Sequence, residues 1–384
     1  MKVAVLGYGT VGAGVYSMLS NAPGMEAGPV LVRPGKAVEN FMVSDAALIF
    51  GDPTVDAVVE TLGGLDPAYS YGMRALEAGK HFITANKAMV AAHGLELAAL
   101  AREKGAAFLF SAACGGGVPF LHNLALSAET DRIEAVSGIL NGTTNYMLDA
   151  MQRRSLSYGD ALREAQSLGY AESDPTADVS GLDALRKMQL ACAVAFGVLP
   201  QSGMLCEGME HFTAADVEDI QSRGLVCRLM ARGSRAGESV SAYVEPVLFP
   251  RAAPESSVFT NNNMARYTGK RCGSIVLMGQ GAGRFPTASA VLRDLSAAQQ
   301  GARSMFPENC RAAEADNREA VHSYYIRTGG FAAVRLPLRS VLAQGEVVRA
   351  VTEPMSAEKM HALAQNIRKD GNDLFFAALE EELC

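Results

Sequence analysis

Residues 7–12, Gly7-Tyr8-Gly9-Thr10-Val11-Gly12, constrain this chain more than any other stretch. They directly follow a strand-like run, Val3 to Leu6, and open a helical segment, Val11 to Leu19. A strand, a glycine-rich turn and a helix in that order make the phosphate-binding turn of a doubly wound parallel sheet. Gly7 permits the tight turn, Gly9 lets backbone approach a pyrophosphate, and Gly12 lets the helix pack closely on the sheet. The amides at the helix N-terminus then face the phosphates. A ligand-free glycine turn would share the pattern but has no need of that placement. Gly7, Gly9, Thr10, Val11 and Gly12 are therefore the expected cofactor-binding set.

The first third keeps the alternation that such a sheet requires. Val30 to Val32, Ala57 to Val59, His81 to Thr84 and Ala107 to Phe110 read as strands, with helical periodicity over Ala68 to Ala78 and Leu95 to Lys104. A Rossmann dinucleotide-binding domain is expected over residues 1–122. From about Asn123 the pattern changes: a clear helix, Leu182 to Phe196, mixes with strand candidates Ala135 to Leu140 and Val240 to Val247. Residues 123–284 are thus expected to form an α+β substrate and dimerisation domain. Thr287 to Gln300 reads as a helix that returns to the first domain, over about 285–305. After a polar break, Glu308 to Glu319, a third unit is expected over 319–384. Its strands are Ser323 to Arg327, Val347 to Thr352 and Leu374 to Ala378, and its helix is Ala357 to Arg368.

At 384 residues the chain exceeds what one core usually serves. Its formal charge of −7 gives no support to a nucleic-acid or anionic-membrane partner. No apolar run approaches membrane-spanning length, and the N-terminus lacks the order of a secretory signal. Seven cysteines, at 114, 192, 206, 227, 272, 310 and 384, are scattered without a CxxC pair, and the six histidines form no HExxH pattern. These features predict reduced thiols in a cytoplasmic enzyme without zinc chemistry.

An NAD-specific site usually carries a carboxylate at the end of the second strand. Here the segment runs Val32-Arg33-Pro34-Gly35-Lys36, with two cations and no acid. Arg33 and Lys36 are suited to neutralise a 2′-phosphate, which favours NADP(H); a solvated basic turn is the alternative, and NAD(H) stays possible. Hydride transfer to an aldehyde places negative charge on its oxygen, so a site needs a cation or proton donor there. Lys87, at the end of a strand, and Lys187 stand in suitable contexts, and desolvation is able to lower a lysine's pKa for proton exchange. Asp183 and Lys187 are i and i+4 on one helix and share a face. The alternatives are an exposed ion pair, or Asp183 facing the helix dipole behind Ser180 as N-cap. Glu172, Asp174 and Asp178 add acids that suit a substrate ammonium, although Asp174 before Pro175 also suits a turn cap.

Thr84-Ala85-Asn86-Lys87-Ala88, Asn141-Gly142-Thr143-Thr144-Asn145-Tyr146, Gly169-Tyr170-Ala171-Glu172, Asp174 to Asp178, Gly181 to Lys187 and Gly279 to Val291 recur in a familiar order. With the glycine loop, they resemble the signature of homoserine dehydrogenases from residue 1 to about 300. The resemblance implies reversible NAD(P)H-dependent reduction of L-aspartate 4-semialdehyde to L-homoserine, on the route to threonine and methionine. It implies Lys187, Asp183 and Lys87 as catalytic residues, and Thr143, Tyr170, Glu172 and Asp178 as substrate contacts. Lys87 and the backbone of Gly281 would border the cofactor, in a homodimer or homotetramer. The sequence does not divide labour between the two lysines. Another Rossmann amino-acid dehydrogenase, or a non-catalytic amino-acid sensor, is the competing reading; the lysines argue against a sensor.

Two places depart from that family. Ser111-Ala112-Ala113-Cys114-Gly115-Gly116-Gly117-Val118-Pro119 resembles its monovalent-cation loop, where a glutamate usually matches Ser111. The backbone carbonyls of Cys114, Gly116 and Val118 remain as donors, but a tightly bound sodium is not expected. Cys114 has no histidine base nearby and reads as a buried thiol. The last 65 or so residues resemble an ACT domain of βαββαβ order. Gly329-Gly330-Phe331 replaces the usual aspartate and Pro-Gly, and Ala332 to Gln344 is too short for a full helix plus strand. Threonine feedback is therefore not expected.

Overall fold

The computed structural model describes residues 1–333 and 335–380; Cys384 lies outside the described residues. Strands β1 (Lys2–Leu6), β2 (Glu26–Leu31), β3 (Met42–Val43), β4 (Ala57–Glu60), β5 (His81–Thr84) and β6 (Phe108–Leu109) form one parallel sheet, in the order β3-β2-β1-β4-β5-β6. Val3, Ala4, Val5 and Leu6 are wholly buried, as a central strand covered on both faces must be. Each buried Val or Leu side chain there contributes roughly 1.5–3 kcal/mol. Helices α1 (Thr10–Leu19), α2 (Ala47–Phe50), α3 (Ala68–Glu77) and α4 (Lys87–Lys104) connect the strands.

The α4 helix starts at Lys87 rather than at Leu95, where the periodic pattern begins. Gly94 broke that pattern, yet it sits inside the helix because a Cβ there would lie 2.9 Å from the Phe306 ring. The Asn86 side chain caps the new start by accepting from the Met89 amide at 3.1 Å.

The middle of the chain runs through α5 (Phe120–Thr130), β7 (Ile133–Ile139), α6 (Gly142–Arg154), α7 (Tyr158–Ser167), α8 (Thr176–Val179) and α9 (Leu182–Phe196). It continues with β8 (Val198–Ser202), β9 (Leu205–Cys206), α10 (Ala214–Ser222), β10 (Leu225–Ala236), β11 (Ser239–Pro250), β12 (Asn262–Gly269) and β13 (Gly273–Gln280). The antiparallel pair β10 and β11 is in register from Leu225↔Pro250 to Ala236↔Ser239, closed by a turn with Gly237 at φ +62°. Helix α11 (Arg284–Gln299) returns to the first sheet and packs on α1, where Gly14 admits Arg284 and Ala288. Helix α9 carries the middle of the molecule: Met188, Leu190, Ala191, Cys192 and Ala193 on it are wholly buried.

The remaining elements are β14 (Arg311–Glu314), β15 (Val321–His322), β16 (Tyr324–Gly329), α12 (Gly330–Ala333), β17 (Leu338–Ala343), β18 (Val347–Thr352), β19 (Met355–Ser356), α13 (Ala357–Lys369) and β20 (Leu374–Leu379). One expectation changes here. The polar break contains β14, which pairs in parallel with β8; two small alanines among charges gave no apolar pattern to find. As expected of a stretch too short for a full helix plus a strand, Ala332 to Gln344 takes in only the end of the four-residue α12, followed by β17. The last strands join the large mixed sheet. β20 pairs in parallel with β11 at Val247↔Ala378 and Leu248↔Leu379, giving the path β13-β12-β7-β10-β11-β20-β16-β18-β17.

Candidate active site

Two cavities meet the C-terminal edge of the parallel sheet, where open α/β sheets place ligands. The smaller, of about 370 Å³, is lined by Lys87, Thr143, Tyr170, Glu172, Asp178, Asp183, Lys187 and Gly281, with Asn141 and Asn261. All the catalytic and substrate residues expected from the sequence thus line one space. The larger, of about 990 Å³, is lined by Gly7, Tyr8, Gly9, Arg33, Lys36, Glu39, Thr61, Leu62 and Gly63, among others.

At the centre of the small cavity, Asp183 stands between two ammonium groups. Lys187 Nζ lies 2.7 Å from its Oδ2, and Lys87 Nζ lies 3.1 Å from its Oδ1. Burial alone would push the Asp183 carboxyl up, but Lys187, Lys87 and a hydrogen bond from Asn141 hold it well below the usual carboxylate range. Burial likewise works to lower Lys187, and the charge and hydrogen bond of Asp183 outweigh it, so this lysine titrates above its ordinary value. That corrects the expectation of a lysine lowered by desolvation: its carboxylate partner stabilises the charge that burial would remove. Lys187 also donates to the Leu140 carbonyl at 2.6 Å. The pair is no exposed surface bridge, since both side chains are only 12 % accessible.

Helix α9 presents this pair from an unusual start. Gly181, not Ser180, is its N-cap, at φ +83°. A Cβ at Gly181 would meet Cys206 Sγ and Val244 at 3.1 Å, so this left-handed position takes glycine.

Asn141 is the site residue that sequence reasoning passed over. Its Nδ2 donates to Asp178 Oδ1 at 2.7 Å and to Asp183 Oδ2 at 2.9 Å, while its Oδ1 accepts from the Thr144 amide at 2.8 Å. One side chain thus caps α6 and joins two carboxylates. The signal was an N-cap residue, Asn141, ahead of Gly-Thr-Thr at a strand end. Thr143 donates to the Tyr170 carbonyl at 2.6 Å, and the Tyr170 ring leans on Tyr146 at 5.0 Å between centroids. Of the acids, Asp178 is half-buried, whereas Glu172 and Asp174 are exposed. Asp174 turns away to accept from the Thr176 amide and hydroxyl at 3.1 and 2.6 Å, a turn cap as its proline neighbour suggested.

The glycine loop fits a dinucleotide. Gly9 is the N-cap of α1 without a side-chain cap, so the helix amides stay open to an anion. Gly9 lines the large cavity, and a Cβ on it would point into open space. Gly7 has φ +97°, and a Cβ on Gly12 would lie 2.1 Å from the Gly7 carbonyl, so neither position admits a side chain. Thr10, Val11 and Gly12 lie on the helix itself and are not among the residues that line the cavity. Arg33 and Lys36 are both exposed at the cavity edge, with Glu39 as an acid the sequence reading had not placed there.

The loop at 111–118 is tightly built around other partners. Ser111 donates its hydroxyl and its amide to the two oxygens of Asp294, at 2.5 and 2.7 Å. The Val118 carbonyl accepts from the Phe120 amide at 2.8 Å. The Ser111 hydroxyl and the Val118 carbonyl are thus engaged within the protein, and no chemical step is routed through a cation. Gly116 meets the Gly281 backbone, where a Cβ would come within 2.5 Å. Cys114 is wholly buried, which pushes its thiol up to about 12 and leaves it inert as a nucleophile.

Comparison with known proteins agrees with this geometry. Residues 7–111 match a family model described as "Homoserine dehydrogenase, NAD binding domain", and residues 119–296 match one described as "Homoserine dehydrogenase". The chain is 38% identical over 314 residues to the homoserine dehydrogenase of Corynebacterium glutamicum, covering 76% of this chain and 70% of that one. A crystal structure of a homoserine dehydrogenase from Thiobacillus denitrificans superposes with a TM-score of 0.87 at 29% identity, over 99% of this chain and 98% of that one. A hyperthermophilic archaeal homoserine dehydrogenase in complex with NADPH shares the fold, with a TM-score of 0.67 at 24% identity over 81% of this chain and 99% of that one.

Proposed function

The chain belongs to the homoserine dehydrogenase family of NAD(P)-dependent oxidoreductases, and from that premise we propose that it interconverts L-aspartate 4-semialdehyde and L-homoserine. The observation that carries the site assignment is the convergence of Lys87 and Lys187 on Asp183, at 3.1 and 2.7 Å, in the cavity bordered by Gly281. The bound nicotinamide dinucleotide supplies or accepts the hydride.

An ammonium group has three N–H donors. Lys187 spends two, on the Leu140 carbonyl and Asp183, which leaves one for the substrate oxygen. As the aldehyde is reduced, its oxygen gains negative charge, and that remaining N–H stabilises it and then transfers its proton. Asp183 stays ionised throughout and holds the lysine in place. In the oxidative direction Lys187 must first lose a proton. Because its pKa lies above the ordinary lysine value, homoserine oxidation rises with pH through the alkaline range.

Lys87 is left to bind the substrate carboxylate, and Asp178 with Glu172 to receive its ammonium. Arg33 and Lys36 support a preference for NADP(H), with Glu39 as the residue that keeps NAD(H) usable. The parallel sheet β3-β2-β1-β4-β5-β6 supports a first unit at 1–122, and the order β16-α12-β17-β18-β19-α13-β20 supports an ACT-like unit at 319–384 after a unit at 123–284. Exposed Val276 and Met278 on the edge strand β13 support a homodimer through that sheet. Unpaired cysteines, buried at 114, 192 and 227, support a reducing, cytoplasmic setting.

The test is turnover by the purified protein: NADPH oxidation with aspartate semialdehyde, and NADP reduction with homoserine. Both are expected. A folded, NADPH-binding protein that turns over neither overturns the assignment.

A further inference from the structure

Glu60 ends β4 with its side chain wholly buried, in a place that hydride transfer does not use. Its carboxyl group has three donors around it. Oε1 accepts from the Leu62 amide at 2.6 Å and the Gly63 amide at 3.1 Å. Oε2 accepts from the Thr84 hydroxyl at 2.5 Å. A buried carboxyl so fully engaged holds its neighbours in one arrangement, because any rearrangement would strand a buried charge or donor.

Those neighbours belong to two different parts of the site. Thr61, Leu62 and Gly63 line the dinucleotide cavity, and Thr61 Oγ1 lies 3.0 Å from the Leu6 carbonyl and 3.3 Å from that of Gly7. Gly63 and Gly64 are consecutive residues at φ +75° and +73°, a turn that side chains resist and that these hydrogen bonds hold. On the other side, Thr84 Oγ1 accepts from the Asn86 amide at 2.9 Å. Asn86 in turn donates through Nδ2 to the Gly64 carbonyl at 2.6 Å, and caps α4 at Met89. The first residue of that helix is Lys87, which reaches Asp183.

We propose that Glu60 is a positioning residue that ties the cofactor loop to Lys87, through Thr84 and the Asn86 cap. The proposal rests on the reading of Lys87 as a substrate-site residue. Seating of the dinucleotide against Thr61 to Gly63 then sets the first turn of α4, and the lysine is correctly aimed only when the cofactor is in place.

Thr84→Val removes the hydroxyl while keeping the shape of a wholly buried side chain, and Thr84→Ser restores the hydroxyl. A cycle combines Thr84→Val with Lys87→Met, read as kcat/KM for homoserine, with NADPH affinity measured separately by fluorescence. Thr84→Val is expected to lower kcat/KM about tenfold in the wild-type background and less than twofold in Lys87→Met, because a relay acting through Lys87 has nothing left to act on. Thr84→Ser is expected to stay within threefold of wild type. A tenfold loss in both backgrounds, or in neither, overturns the relay. A second arm follows amide exchange at residues 86–90. NADPH is expected to slow it in the wild type and not in Thr84→Val; the same response in both proteins overturns the relay. A wild type that binds NADPH but does not turn over homoserine sinks the reading of the activity, and the exchange arm still decides the relay.

Discussion

Asp183 and Asp294 are both buried carboxylates, and the structure treats them in opposite ways. Asp183, in the smaller cavity, is held well below the usual range because two ammonium groups and the Asn141 amide surround it. Asp294, on α11 beneath the loop at 111–118, is pushed up to about 7 by burial. The Ser111 hydrogen bonds and the more distant Arg293 offset this only partly. Burial penalises the charge of both; a directly bonded cation decides which of them keeps it. One carboxylate is therefore held in its charged form, and the other holds a loop.

The comparison breaks first at Asp183. Asp183→Asn keeps a hydrogen-bonding shape but removes the charge, so Lys187 loses the partner that raises it. A fall in kcat of about 10³ is expected, in line with the loss of a general acid and its electrostatic support, with NADPH affinity unchanged. Steady-state kinetics beside a fluorescence titration checks this; a loss under tenfold would mean that the carboxylate's charge is incidental.

Gly281→Ala joins the two regions, since its Cβ would lie 2.0 Å from Asn263 and the loop at Gly116 abuts the same backbone. Overpacking of this kind costs about 1–3 kcal/mol. Expected are a fall in kcat of roughly 10² and a lower Tm, and kinetics with a thermal melt are the check. Arg33→Ala with Lys36→Ala leaves both carboxylates alone. It is expected to raise KM for NADPH about tenfold and leave KM for NADH unmoved, as loss of phosphate contacts requires.

Asp294 then tests the second half of the comparison. Its folded pKa is raised, so its contribution to stability is fully present below pH 4 and is lost as pH rises through about 7. Asp294→Asn is expected to flatten the fall in Tm between pH 5 and 8 by a few degrees, on the scale of about 1–2 kcal/mol. Identical pH profiles would place Asp294 in the same class as Asp183. Smallest of all, Asp174→Ala removes a turn cap at a cost of about 1 kcal/mol, with turnover intact.

Much of this was legible in the sequence, for physical reasons that differ by residue. The glycine loop and Leu182–Phe196 are local patterns, and both stand where the sequence placed them. The convergence of Lys87 on Asp183 was implied only by resemblance, because it joins helices 96 positions apart. Asn141 escaped because its role depends on two carboxylates, 37 and 42 residues away, arriving beside a helix cap. Glu60 escaped because a lone acid at a strand end has no pattern; only the fold brings Thr84 to it. The raised lysine escaped for a related reason: a sequence shows that a group is buried more readily than what it is buried against.

The central claim is that Lys187, kept charged by Asp183, delivers the proton. It is met most directly by kcat for aspartate semialdehyde reduction in Lys187→Met at constant NADPH affinity and unchanged Tm. The expected result is a loss of about 10³, not recovered by raising the pH. Turnover within threefold of wild type would contradict it, and would move the proton to Lys87.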